Sequence, residues 1–108
     1  MALFGKKKEE YVDESMLAAS RIVMEQIDDD DEKAASLVEQ IKKGNPLIVN
    51  FESLDAFAAN KMLAFFAGAT YALEGKTVKI NEKTYLFAKR TEFLDGSLQN
   101  FIKNLPTE

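Results

Sequence analysis

Five consecutive carboxylates, Asp28 to Glu32, are the densest cluster of reactive side chains in this sequence. Such a run invites a divalent cation. A calcium loop of the EF-hand type, however, spaces its ligands and places a glycine at the bend, and no glycine interrupts this run. Acidic residues before a helix also cap free N–H groups and complement the helix dipole. The run is therefore expected to open a helix, with a cation site as the alternative. Glu52 and Asp55 are the next nearest pair of acids. Acid–base catalysis needs a carboxyl whose pKa is tuned by its surroundings, and nothing near either pair marks it as buried. The sequence has no His and no Cys. That removes the commonest general base, the commonest metal ligand, thiolate chemistry and the usual triads. No glycine-rich loop is present to cradle a phosphate. Neither an enzyme nor a cofactor or metal site is expected.

What remains is the chemistry of binding. From Lys76 to Arg90 the chain carries Lys76, Lys79, Lys83, Lys89 and Arg90 against one acid, Glu82. The net charge of the whole is −4, so this is a local reversal of sign. It suits docking of an acidic or amphipathic peptide; equally, lysines on a solvated strand pair discourage edge pairing. At the N-terminus, Met1, Leu3 and Phe4 precede Lys6, Lys7 and Lys8. An apolar tip followed by a basic cluster fits a weak contact with an anionic membrane surface, or simply a charged terminus. The acidic balance argues against nucleic-acid binding, which rests on a basic field. No apolar run is long enough to span a bilayer.

These groups need a scaffold, and 108 residues imply one domain. Residues 21–27 (RIVMEQI) read as a strand, and 32–43 as an amphipathic helix with Ala34, Leu37, Val38 and Ile41 inward and Gly44 as its stop. Asn45-Pro46 turns the chain into a strand at 47–52, so a crossover joining parallel strands is expected. Ser53 reads as the cap of a central helix that ends at Gly75. Thr77–Asn81 and Thr84–Lys89 form a hairpin about Glu82-Lys83, with bulky apolar groups on both faces. In the tail, Ser97 reads as a cap and Leu98, Phe101, Ile102 and Leu105 as the stripe of a last helix that Pro106 ends.

The central helix carries more apolar surface than one sheet face can cover. Leu54, Phe57, Ala58, Met62, Phe65 and Ala69 make one stripe. Ala59, Leu63, Phe66 and Thr70 make an adjacent one, with Ala64, Gly68 and Ala72 beside it. A glycine inside a helix costs about 0.5–1 kcal/mol relative to alanine. Gly68 therefore either faces a bulky sheet residue or allows close packing on a second helix. A two-fold contact is self-complementary, and small residues at its axis permit close approach.

The stretch from Pro46 to Arg90 resembles the SepF family of bacterial and archaeal cell-division proteins. Val49-Asn50 stand where that family ends a strand in a V-N pair. Phe65, Gly68, Tyr71-Ala72 and Gly75 fit its F-x-x-G-x-x-Y-A-x-x-G helix end, and Val78 to Phe87 fit the strand pair that follows. Lys61 and Ala64 stand where many members have Arg and Asp. The resemblance covers about residues 21 to 90, leaving 1–20 as a flexible or membrane-contact segment and 91–108 as a helical tail. It implies a compact two-layer α/β sandwich, with two main helices on a four- or five-stranded mixed sheet and a short C-terminal helix, that dimerises. It also implies a scaffold that binds the C-terminal tail of the tubulin-like protein FtsZ and links the FtsZ ring to the membrane during septum assembly, in the cytoplasm and peripheral to the inner face of the cell membrane. The implied tail groove falls on Lys79, Tyr85 and Phe87, with Phe66 and Tyr71 at its edge. The implied dimer interface is Leu63, Ala64, Ala67, Gly68 and Tyr71, and the membrane contact Met1, Leu3, Phe4, Lys6, Lys7 and Lys8. Sheet-on-sheet stacking through the hairpin would allow further association. A soluble SepF-like interaction module without a membrane role is the alternative.

Overall fold

A computed structural model describes residues 16–105; the residues expected to contact a membrane, Met1, Leu3, Phe4, Lys6, Lys7 and Lys8, lie outside them. Four strands, β1 (Val23–Gln26), β2 (Leu47–Asn50), β3 (Gly75–Asn81) and β4 (Thr84–Lys89), form one sheet in the order β1-β2-β4-β3. Helices α1 (Asp31–Lys42), α2 (Ala56–Ala72) and α3 (Ser97–Lys103) pack on it, and 3-10 turns occupy Ala18–Arg21 and Arg90–Phe93. β1 and β2 are parallel, joined through α1 as the strand-helix-strand order required, and the other two pairings are antiparallel.

The acidic run does open a helix. Asp30 is the cap, its Oδ1 accepting from the N–H groups of Glu32 (3.0 Å) and Lys33 (3.1 Å), and Asp31 and Glu32 fill the first turn. At the far end Gly44 takes the left-handed conformation (φ 96°) that an L side chain rarely adopts.

Two expectations about the central helix need correction. Its cap is Asp55, whose carboxylate accepts from Ala58 N at 2.8 Å, whereas the Ser53 hydroxyl donates to Ile27 O at 3.0 Å. Ser53 thereby ties the loop before α2 to the end of β1. Nor does Gly75 supply the left-handed stop, which falls on Glu74 (φ 60°). Gly75 is required for space: a Cβ there would lie 2.5 Å from Ala88 O and 2.6 Å from Thr70 Cγ2. The last turn of α2 and the first residue of β3 meet too closely for any side chain.

The sheet has two covered faces. On one, Leu47, Val49 and Phe87 meet Ile41 of α1 and Met62 and Phe66 of α2, with Phe51 closing the end. Phe66 lies against the rings of Phe51 and Phe87, at 6.2 and 5.3 Å between centroids. On the other face, Ile48, Leu86 and Ala88, with Val78 and Ile80, are roofed by Ala18 and by Leu98, Phe101 and Ile102 of α3. The hairpin is apolar on both sides, as its alternation implied, and part of its second side is already occupied by the C-terminal helix.

The roof is fastened by polar contacts between sequence-distant ends. Asp95 accepts from Ala18 N and the Ser97 hydroxyl accepts from Ala19 N, each at 2.9 Å. Arg21 pairs with Glu92 and also donates to Gly44 O at 3.1 Å. Ser97 is the first residue of α3 rather than its cap; Asp95 accepts from its N–H (2.8 Å) and hydroxyl (2.7 Å).

Candidate functional site

α2 sets the geometry of the site. Ala58, Met62, Phe66 and Thr70 are its buried line, so the opposite side, roughly 180° around a helix of 3.6 residues per turn, must face outward. That side carries Phe57, Ala64, Gly68 and Tyr71. Phe57 and Tyr71 are each 81 % exposed, and the neighbouring Phe65 is 42 % exposed. A Cβ on Gly68 would meet nothing within 4 Å, which removes the option that Gly68 makes room for a sheet residue. Phe57 was expected in the core stripe; it stands outside. The missed signal is spacing. Phe57 and Tyr71 lie seven residues either side of Ala64, two helical turns each way on one line.

Of the five residues expected at an interface, Ala64, Gly68 and Tyr71 are exposed on this side, and Leu63 and Ala67 are half-buried at its hairpin edge. The apolar line is bounded by Lys61. Its ammonium reaches the start of α1, 2.7 Å from Asp29 in the preceding loop and 3.5 Å from Asp31 in the first turn. The hydrogen bond to Asp29 holds the Lys61 pKa above its ordinary value.

Beside Leu63, between α2 and the β3–β4 turn, a cavity of about 200 Å³ opens among Phe51, Ala59, Leu63, Glu82, Lys83 and Tyr85. The Tyr85 ring meets Phe51 edge-on at 5.9 Å and stacks near Phe87 at 6.4 Å, so an aromatic wall is held in place from behind. Lys79 is the register partner of Tyr85. Directly opposed residues of an antiparallel pair share a face, so the lysine stands over the same side of the sheet as the tyrosine. Its Nζ is 3.5 Å from Glu82. The cavity has an aromatic floor and is lined by Lys83, while Lys79 stands beside Tyr85 outside the lining.

The expected groove is thus only partly assembled. Lys79 and Tyr85 come together. Phe66 and Phe87 are each 0 % exposed in the main core and present no surface to a partner; they act by fixing Phe51 and Tyr85. Tyr71 lies on the outward side of α2, at its C-terminal end. Of the acids, Asp30 and Asp55 are caps and Glu52 is exposed. Among the described residues no cluster of acidic side chains could hold a metal ion, and no helix is long and apolar enough to cross a membrane.

Comparison with known proteins gives one consistent result. The family model described as "Cell division protein SepF" matches residues 22–90. Proteins named cell division protein SepF are similar to this chain. That of Carboxydothermus hydrogenoformans is 35 % identical over 65 residues, 60 % of this chain and 47 % of its own length. That of Alkaliphilus oremlandii is 30 % identical over 72 residues, covering 67 % of this chain and 49 % of its own length. That of Symbiobacterium thermophilum is 42 % identical over 53 residues, covering 49 % and 26 %. The chain spans about half the length of the first two.

Proposed function

Since the chain belongs to the SepF family of cell division proteins, we propose that it is a dimeric division scaffold that receives the C-terminal tail of FtsZ and links it to the membrane. Two copies associate through the outward side of α2, with Ala64 at the two-fold axis, Gly68 one turn from it and Leu63 and Ala67 on its flank. The FtsZ tail enters the cavity beside Leu63, where Tyr85 supplies an aromatic anchor and Lys79 a cation for an acidic, partly apolar peptide. Tyr71 closes the far end of the dimer contact. Met1, Leu3 and Phe4, followed by Lys6, Lys7 and Lys8, make a peripheral contact with anionic lipid at the division site, on the cytoplasmic side.

The observation that carries this reading is the exposure of Phe57 and Tyr71, 81 % each, about an open Gly68. An uncharged aromatic line is unfavourable in water and gains by being covered. In a two-fold pair of antiparallel helices centred on Ala64, Phe57 of one copy meets the partner's Tyr71, and the reverse contact follows by symmetry.

The test is titration of a labelled FtsZ C-terminal tail peptide into the protein and into Lys79→Glu and Tyr85→Ala, with dimerisation followed by sedimentation. Loss of roughly tenfold or more in peptide affinity with dimerisation intact is the expected result. Unchanged affinity in both variants would remove the groove from the proposal. Co-sedimentation with anionic vesicles, comparing the full chain with Phe4→Glu/Lys6→Glu/Lys7→Glu, separates the membrane role. No difference there leaves a soluble module that binds FtsZ without tethering it.

A further inference from the structure

The cap of α1 uses only part of the acidic run. Asp30 accepts from the N–H groups of Glu32 and Lys33. The carboxylates on either side of it, Asp29 and Asp31, turn instead to one cation on the neighbouring helix, Lys61, at 2.7 and 3.5 Å. The turn that carries them is fixed. Asp30 N donates to Asp28 O at 2.8 Å, and Lys33 at the start of α1 pairs with Glu25 of β1 at 3.3 Å. Lys61 also lines a cavity of about 330 Å³ with Ala34 of α1 and Met62 and Phe65 of α2, so its methylene stem has apolar ground to rest on.

Where Lys61 points matters because of its place on α2. It lies one turn after Phe57 and one turn before Phe65. At 3.6 residues per turn it stands roughly 60° around the helix from Ala64, on the flank nearer α1. Helical side chains tilt toward the N-terminus, so an unrestrained lysine here extends over Phe57. With antiparallel helices centred on Ala64, Lys61 stands as far before the centre as the partner's Ala67 stands after it, and the two come opposite one another beside Gly68. Neither alanine nor glycine has a side chain that accepts a hydrogen bond. An ammonium left there alone loses water and gains no partner.

We infer that Asp29 and Asp31 form a clip that draws the Lys61 ammonium sideways toward α1, so that the outward side of α2 meets a second copy without an unpaired charge. Lys61 is thereby a positioning residue of that contact. The acidic run has two tasks: Asp30 starts α1, and its neighbours keep the face of the next helix clear. An ion pair also strengthens as water is excluded from it, so clip and contact reinforce one another. The clip has this role only if the outward side of α2 is the dimer contact proposed above; it adds α1 as the element that controls that contact.

Sedimentation velocity of the full chain over a concentration series tests the clip. Asp29→Asn/Asp31→Asn should raise the dimer Kd about tenfold by leaving Lys61 unpaired. Lys61→Met should dimerise at least as tightly as the parent. In the Lys61→Met background the same two aspartate substitutions should change Kd by less than about twofold, because no ammonium is left to hold; a merely local effect on the start of α1 would persist there. Thermal unfolding of dilute protein checks that each variant is folded. Asp29→Asn alone, which lies outside the helix, replaces the pair if Asp31→Asn disturbs α1. An unchanged Kd for the aspartate variant overturns the inference, and so does the same loss with and without Lys61. Phe57→Ala keeps the two readings apart. If it weakens the dimer and the aspartate variant does not, only the clip falls; if neither does, the α2 contact falls with it.

Discussion

Replacing Phe57 by alanine should weaken dimerisation and leave the fold intact. Burying a phenylalanine fully is worth about 1.5–3 kcal/mol. Phe57 keeps 81 % of its surface exposed in the single chain. If a partner covers roughly half of that, each ring contributes about 1 kcal/mol, and a symmetric dimer contains two. Phe57→Ala should then cost about 2 kcal/mol, close to a thirtyfold rise in Kd. Tyr71→Ala should act similarly. Because Phe57 is proposed to meet the partner's Tyr71, the double variant should lose clearly less than the sum of the two, the signature of groups that share a contact. Sedimentation velocity across a concentration series reads all three constants. Thermal unfolding of dilute protein supplies the control: an exposed residue should change stability by no more than about 0.5 kcal/mol, whereas Phe66→Ala, fully buried, should lose about 3–5 kcal/mol. Additive effects of Phe57→Ala and Tyr71→Ala would refute the antiparallel arrangement. Dimerisation unchanged in both would refute the use of this side of α2.

Gly75→Ala should destabilise the domain by about 1–3 kcal/mol, since the new methyl meets Ala88 O and Thr70 at distances no real Cβ tolerates; chemical denaturation checks it. Asp30→Ala should cost about 1 kcal/mol by releasing the Glu32 and Lys33 N–H groups, visible as a lower denaturation midpoint. Hydrogen bonds from Ser97, first its hydroxyl and then its N–H, hold the Asp95 carboxyl below its ordinary value of 3.8. Its contribution to stability is therefore complete above that value and is lost as pH falls through the lower folded value. Asp95→Asn should lower the melting temperature near neutrality and flatten its decline below about pH 4.

The sheet and its helices were legible because each element carries its own period. The alternation in Val78–Lys79–Ile80 and in Tyr85–Leu86–Phe87 placed every side chain on the face where it is found. The inward residues of α1 were legible for the same reason. α2 was harder. A helix apolar all round has no strong direction of its own, so its sequence ranks Phe57 and Phe66 alike. Which of them is buried depends on the rotation of the helix against Phe51 and Phe87, a tertiary fact. The exposure of the residues expected at the groove was half legible for a related reason: Tyr85 and Phe87 share a strand face, but Tyr85 lies toward the hairpin turn and Phe87 is buried under α2. The caps were misplaced by one or two residues because Ser53 and Asp55 are both good capping residues, and only the bond from Ser53 to Ile27 distinguishes them.

The fastening between Ala18–Arg21 and the turn at Glu92–Ser97 has a mechanical consequence. A pull arriving through the N-terminal segment enters the domain at Met16. It first meets the Ala18–Asp95 and Ala19–Ser97 hydrogen bonds and the Arg21–Glu92 pair. Only behind these does it reach β1, whose parallel ladder with β2 would be loaded along the strands, so that several bonds must shear together. A domain held this way has a short clasp in series with a stiff sheet. The clasp can open and re-form under transient force while α2 and the cavity beside it keep their shape.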